Sequence, residues 1–199
     1  MKAGDRWLQR WRIRKAGAHI PPGSRVLDVG CSEGELFRIL GPRVASGLGV
    51  DPHVARAQEE GNVRLVPGAF PADVADDAGP FDAITMLAVI EHIPRAEHAT
   101  LAATCARLLR PGGWVIVTAP SPLVDRILDV LMRLRILDGM DTEQHFGFGP
   151  RETIDTFVGH GFILQHRSRF QLGLNNLFVF RLDTPAPSAR SGDGPPRAS

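Results

Sequence analysis

The sequence predicts an α/β fold, a doubly wound and mostly parallel sheet in a single domain. Three observations predict it. Apolar strand-like runs and helix-like segments alternate five times before a helix and two further strands close the chain. A strand, a glycine turn and a helix start follow one another across residues 26–36. Residues able to touch a ligand fall at the carboxyl ends of successive strands, the edge where open α/β sheets bind. With 199 residues, 43% hydrophobic and 23% charged, the chain has room for one full core.

The formal net charge is +1, so total charge selects no partner. Its distribution is more telling: Lys2, Arg6, Arg10, Arg12, Arg14 and Lys15 stand against Asp5 alone in the first fifteen residues. The remaining body is mildly acidic, with 17 basic and 21 acidic residues, which with no separate recognition domain argues against a nucleic acid substrate. Cys31 and Cys105 suggest no disulfide framework, and no secretory or membrane-spanning run is apparent, so a cytoplasmic location is expected.

Residues 1–20 are expected to hold a separate basic helix, spanning 5–18, with Trp7, Leu8 and Trp11 on one side. It either packs its tryptophans on the domain edge or touches anionic lipid or a nucleic acid backbone; two tryptophans are a small anchor, which favours the first. Pro21, Pro22 and Gly23 form a turn that launches a strand at 25–29. The glycine loop follows, then a helix over 35–40, a strand over 45–50 ending at Asp51-Pro52, a helix over 54–60 and a strand over 63–66.

After a turn at 76–80 come a strand over 81–86, the segment Leu87 to Pro94, and a helix over 95–109 that buries Cys105. A turn at 110–113 precedes a strand over 114–119. Residues 121–148 read as a lid-like insertion, with a helix over 121–137 whose polar positions form only a narrow stripe. That helix suits a lid over an apolar substrate, a dimer seam, a membrane-resting surface or simple burial. Residues 152–160 form a helix, 162–170 and 177–182 a closing antiparallel pair, and 184–199 a disordered tail.

The loop itself reads Asp28-x-Gly30-x-Ser32-x-Gly34. The dinucleotide pattern G-x-G-x-x-G fails, since Ser32 and Glu35 occupy its second and third glycine positions, and no P-loop lysine follows. A carboxylate at Asp28 suits an ammonium-bearing ligand and repels a diphosphate. An acid at Asp51, one helix later, suits a ribose with two free hydroxyls.

In these motifs the chain resembles the class I S-adenosylmethionine-dependent methyltransferases, whose first motif reads acid-x-Gly-x-Gly-x-Gly. Ser32 departs from it at the middle glycine. Leu-Arg-Pro-Gly-Gly at 109–113 resembles a frequent turn of the family, and Glu91-His92 before Pro94 resembles the fourth-strand signature of its small-molecule, quinone-biosynthesis-like branch. The Asn/Asp-Pro-Pro-aromatic signature of its amide and amine methylases is missing. The resemblance implies a seven-stranded sheet whose last hairpin inserts a reversed strand, and S-adenosyl-L-methionine as cofactor. That cofactor would be held by Asp28, Gly30, Cys31, Ser32 and Gly34, by Asp51 and Pro52, and by Leu87 after the fourth strand. An acid usually follows the third strand to bind the adenine amino group, but Ala69 stands there, leaving backbone groups and apolar contact with Phe70; nothing in the sequence places Asp73.

Methyl transfer to oxygen needs a proton removed, and His92 and His145 are the candidates. Each has an alternative as a surface or hydrogen-bonding histidine. No His, Asp and Glu cluster stands at ligand spacing, so no metal is expected. The expected acceptor is a small, apolar or amphipathic molecule. A non-catalytic cofactor-binding or membrane- or partner-binding module of the same fold is the alternative, and a nicotinamide-dependent oxidoreductase is disfavoured by the glycine spacing.

Overall fold

The computed structural model describes residues 3–121 and 149–183. The expectations for the lid helix, for His145 and for the tail at 184–199 lie outside the described residues. In chain order the elements are α1 (Ala3–Gly17), β1 (Ser24–Val29), α2 (Glu35–Leu40), β2 (Val44–Asp51), β3 (Gln58–Glu60) and β4 (Val63–Pro67). There follow β5 (Phe81–Leu87), α3 (His98–Leu108), β6 (Leu109–Pro120), α4 (Pro150–Val158), β7 (Phe162–Phe170) and β8 (Asn175–Leu182).

The strands form one sheet in the order β3-β4-β2-β1-β5-β6-β8-β7. From β4 to β6 the neighbours are parallel, whereas β8 runs antiparallel to β6 and to β7. The chain steps outward from β1 through β2 to β4, then returns to lay β5 against the other side of β1. That reversal opens a crevice at the carboxyl ends of β1 and β5.

Alternation along the strands divides the core in two. Val26, Ala83, Ile116 and Val179 join one cluster with Ile13 and Ala16 of α1 and Leu36, Phe37 and Leu40 of α2. Leu27, Ile84, Val115 and Phe180, each one residue away, join a second with Leu101 and Cys105 of α3 and Phe157 of α4. Helices therefore cover both faces, which is why the central strands are apolar at nearly every position.

Three expectations are corrected here. The helix expected over 54–60 is replaced by turns and the three-residue strand β3, which pairs antiparallel to β4 with Glu59 opposite Arg64. Helix preference for Ala, Gln and Glu is a weak prior, and the open edge of β4 offers hydrogen bonds that override it. The sheet accordingly has eight strands where seven were expected. The turn expected at 110–113 is drawn into β6, where a register shift against β5 and Gly112 at φ +72° absorb the bend.

Replacing that helix leaves a cleft of about 660 Å³ along α2, from Gly34 to Gly41 and across to Glu60 and Leu65.

Candidate functional site

The glycine loop is shaped by close approaches. Gly30 adopts φ +73°, and a Cβ there would run into Val89 Cγ2. Val89 reaches it because Ala88, at φ +60°, turns the chain after β5 and donates its N–H to the Thr118 carbonyl at 3.0 Å. The segment after β5 is thereby pressed onto the loop after β1. Gly34 adopts φ +78° and starts α2.

Ser32 lies between them at φ +49°, the left-handed region that a Cβ disfavours. The middle position of the loop thus keeps a glycine conformation without a glycine. Ser32→Gly is expected to raise unfolding stability by about 1 kcal/mol, measured by urea denaturation; a loss of stability would mean that the serine hydroxyl holds the loop.

Asp51, at the tip of β2, organises the loop directly. Its Oδ2 accepts the Ser32 N–H at 2.8 Å, and its Oδ1 accepts the His53 N–H at 2.8 Å and contacts His53 Nδ1 at 3.1 Å. A carboxylate has about four lone-pair sites, so one remains open. The His53 ring is 94% exposed, and a ligand hydroxyl can displace it to open a second. Pro52 is exposed beside it.

Asp28 sits one step further in. It is 4% exposed, and Thr85 Oγ1, its register partner on β5, donates to its Oδ1 at 2.6 Å. Burial pushes its pKa up to about 7 against the opposing Thr85 bond, with the nearby Asp51 charge adding to the rise. The carboxyl is therefore held between β1 and β5 by the Thr85 hydroxyl.

Two other expected contacts change character. The Cys31 side chain is buried in the α1/α2 core, where burial pushes its thiol up to about 12, so only its backbone faces the loop. Phe70 is buried in the other cluster and offers no open ring face. The exposed Ala69 gives its N–H to Asp73 Oδ2 at 2.8 Å, and Asp73 N–H returns a bond to the Ala69 carbonyl at 2.9 Å. Asp73 thus brings a carboxylate to the loop after β4, four residues beyond the position where the sequence lacks one. Leu87, half-buried at the end of β5, packs toward the α1/α2 cluster.

Past Leu87 the chain makes a short 3-10 helix, Ile90–His92. His92 is exposed on it, while Glu91 is buried and faces Arg12 of α1 across the site. Burial raises Glu91 to about 7, with a bond from its own backbone and the Arg12 charge opposing the rise. Glu91 Oε2 and Arg12 Nε are each buried without a hydrogen-bond partner among the described residues. Buried polar atoms are rarely left so, and a cation and an anion with one unused valence each mark a place for a ligand of both signs. Sequence reasoning missed Arg12 because six basic residues crowd the first fifteen positions with nothing to rank them. Helix α1 is anchored over the loop by Arg10, whose Nε lies 3.1 Å from Glu35 Oε1 on α2.

The family described as "Methyltransferase domain" matches residues 5–159. The ubiquinone biosynthesis O-methyltransferase of Bordetella avium is 31% identical over 137 residues, covering 62% of this chain and 56% of that protein. The enzyme of the same description from Acinetobacter baumannii is 28% identical over 168 residues, covering 78% of this chain and 69% of its own length. The chain spans about half the length of the first curated relatives it matches, 56%, 44% and 48% in three of them. Among solved structures, the cyclopropane synthase MmaA2 of Mycobacterium tuberculosis superposes with a TM-score of 0.63 at 15% identity, covering 87% of this chain and 84% of that one.

Proposed function

Since the chain belongs to the class I S-adenosylmethionine-dependent methyltransferases, on their quinone-biosynthesis-like branch, we propose that it methylates a hydroxyl oxygen of a small, apolar or amphipathic acceptor. The observation that carries this reading is the meeting of the glycine loop, Asp51 and the Arg12–Glu91 pair at one crevice of the sheet. The choice of oxygen rests on the relatives, which are named O-methyltransferases of ubiquinone biosynthesis.

S-adenosyl-L-methionine, the methyl donor of this family, supplies a sulfonium-bound electrophilic methyl carbon when bound. The residues present fit it. Arg12 Nε and Glu91 Oε2 match a carboxylate and an ammonium on one amino acid end. Asp51 has acceptor capacity for two ribose hydroxyls, and Asp73 offers a carboxylate to the adenine amino group in place of the acid absent at Ala69. Backbone at Gly30, Cys31, Ser32 and Gly34 lets the ligand approach closely, and Leu87 lends an apolar wall.

The protein's part is then to hold donor and acceptor in line and to exclude water. His92, exposed at this edge, takes the acceptor proton; His145 remains the second candidate base.

Calorimetric titration tests this. Micromolar binding of S-adenosylmethionine and S-adenosylhomocysteine is expected, with no heat from NAD. Asp51→Ala is expected to weaken both by about 100-fold, since it removes two charge-assisted hydrogen bonds and frees the Ser32 turn. Binding of NAD in preference to the sulfur ligands would overturn the reading.

A further inference from the structure

We propose that the first half of α1 and the turn between β7 and β8 form one surface that docks on an anionic phospholipid bilayer. Among the described residues, large apolar side chains are exposed at five places, and three of them meet here: Trp7 at 61%, Leu8 at 41% and Leu172 at 93%. They are brought together by a built contact. Gln171 is buried and its Nε2 donates to the Leu8 carbonyl at 2.8 Å, while Asn175 Nδ2 donates to Gln171 Oε1 at 2.6 Å. Trp11, stacked edge-on against Trp7, packs in the same manner on Phe170.

The turn is held in a conformation its residues do not prefer. Gln171 and Leu172 sit at φ +50° and +58°, where a glycine or asparagine would rest more easily. A leucine fixed in that state with almost its whole side chain in water gains nothing from the fold. Strain of this kind, retained at an exposed tip, points to a use outside the fold.

Charge chooses the occupant. Arg6, Arg10, Arg14 and Lys15 flank the apolar residues on α1, and the turn from Gln171 to Leu174 carries no acid. Asp5 is the one acid among the first fifteen residues, against six basic ones, and Glu35 of α2 is already paired with Arg10 and Arg38. A projecting tryptophan and two leucines ringed by cations match the headgroup boundary of an anionic membrane, where the apolar tips enter the acyl region and the cations stay with phosphate. A single-stranded nucleic acid would instead want a groove with successive aromatic faces for its bases, whereas here one exposed tryptophan stands beside two projecting leucines. Among the described residues no helix is long and apolar enough to cross a bilayer, so the contact is peripheral.

The surface also borders the edge of the sheet where β6 ends. The turn sits at the carboxyl end of β6, with Pro120 opposite Asn175 and the Ser121 N–H donating to the Leu174 carbonyl at 2.8 Å. Docking there turns the edge that carries the crevice toward the lipid. The docking follows from the surface alone; only its use in delivering an apolar acceptor rests on the function proposed above.

Vesicle sedimentation tests the proposal on the full chain. Vesicles of phosphatidylcholine with about one third phosphatidylglycerol are expected to carry the protein down, pure phosphatidylcholine far less, and raised salt should release it. Leu172→Asn, which keeps the turn conformation comfortable, is expected to cut partitioning several-fold alone and about ten-fold with Trp7→Gln. Thermal melting and S-adenosylhomocysteine binding of the same variants separate loss of the surface from loss of the fold or of the donor site. No sedimentation of the unaltered chain with anionic vesicles would overturn the proposal. So would partitioning unchanged by the two substitutions, or a stronger affinity for single-stranded nucleic acid that the substitutions remove.

Discussion

Asp28→Asn will stabilise the protein at pH 8 far more than at pH 5, by a difference on the order of 2 to 3 kcal/mol. In the unfolded chain this carboxyl loses its proton near 3.8, and in the folded chain only near 7. Between those values the native state binds the extra proton, so stability falls as pH rises across the window and levels off above it. The cause is burial between β1 and β5, which the Thr85 hydroxyl offsets only in part. Asparagine keeps an oxygen for Thr85 and has no charge to bury, so the penalty disappears at high pH and little changes at low pH. Urea unfolding of both proteins at the two pH values measures this. An equal gain at both would show that Asp28 ionises in the folded state as freely as in the unfolded one.

The same residue marks the boundary of what a sequence discloses. The placement of the strands was legible because alternate positions of β1, β5 and β6 serve two cores and so must be apolar throughout. The glycine positions were legible because Gly30 and Gly34 need positive φ, a demand that leaves a mark on residue type. A carboxylate at Asp28 was visible too, but its direction was not: Thr85 lies 57 positions away, and only parallel pairing brings it alongside. Asp73 and Arg12 escaped for a related reason. One acts by folding back on Ala69, the other by facing Glu91 across the crevice, and neither arrangement has a spacing rule. The edge strand β3 escaped because Gln58, Glu59 and Glu60 are good helix formers, and the choice was made by the unpaired edge of β4.

Arg12→Met will weaken S-adenosylhomocysteine binding by about 10- to 100-fold while leaving 5′-methylthioadenosine, which lacks the amino acid end, bound as before. A charge-assisted hydrogen bond to the ligand carboxylate accounts for a loss of that size, and the truncated ligand has no carboxylate to lose. Arg12 is poised for it: burial strips water from the guanidinium, Glu91 holds the charge in place, and Nε has no partner among the described residues. The methionine fills the space of the arginine stem, so the packing of α1 over the loop is retained. Glu91 then loses its facing cation, its pKa rises further above 7, and it meets the ligand ammonium as a neutral acid at neutral pH. The deficit should therefore shrink as pH is raised and Glu91 ionises, which a calorimetric series from pH 7 to 9 would follow. Equal losses for both ligands would mean that Arg12 only props α1, and the amino acid end would have to be held elsewhere.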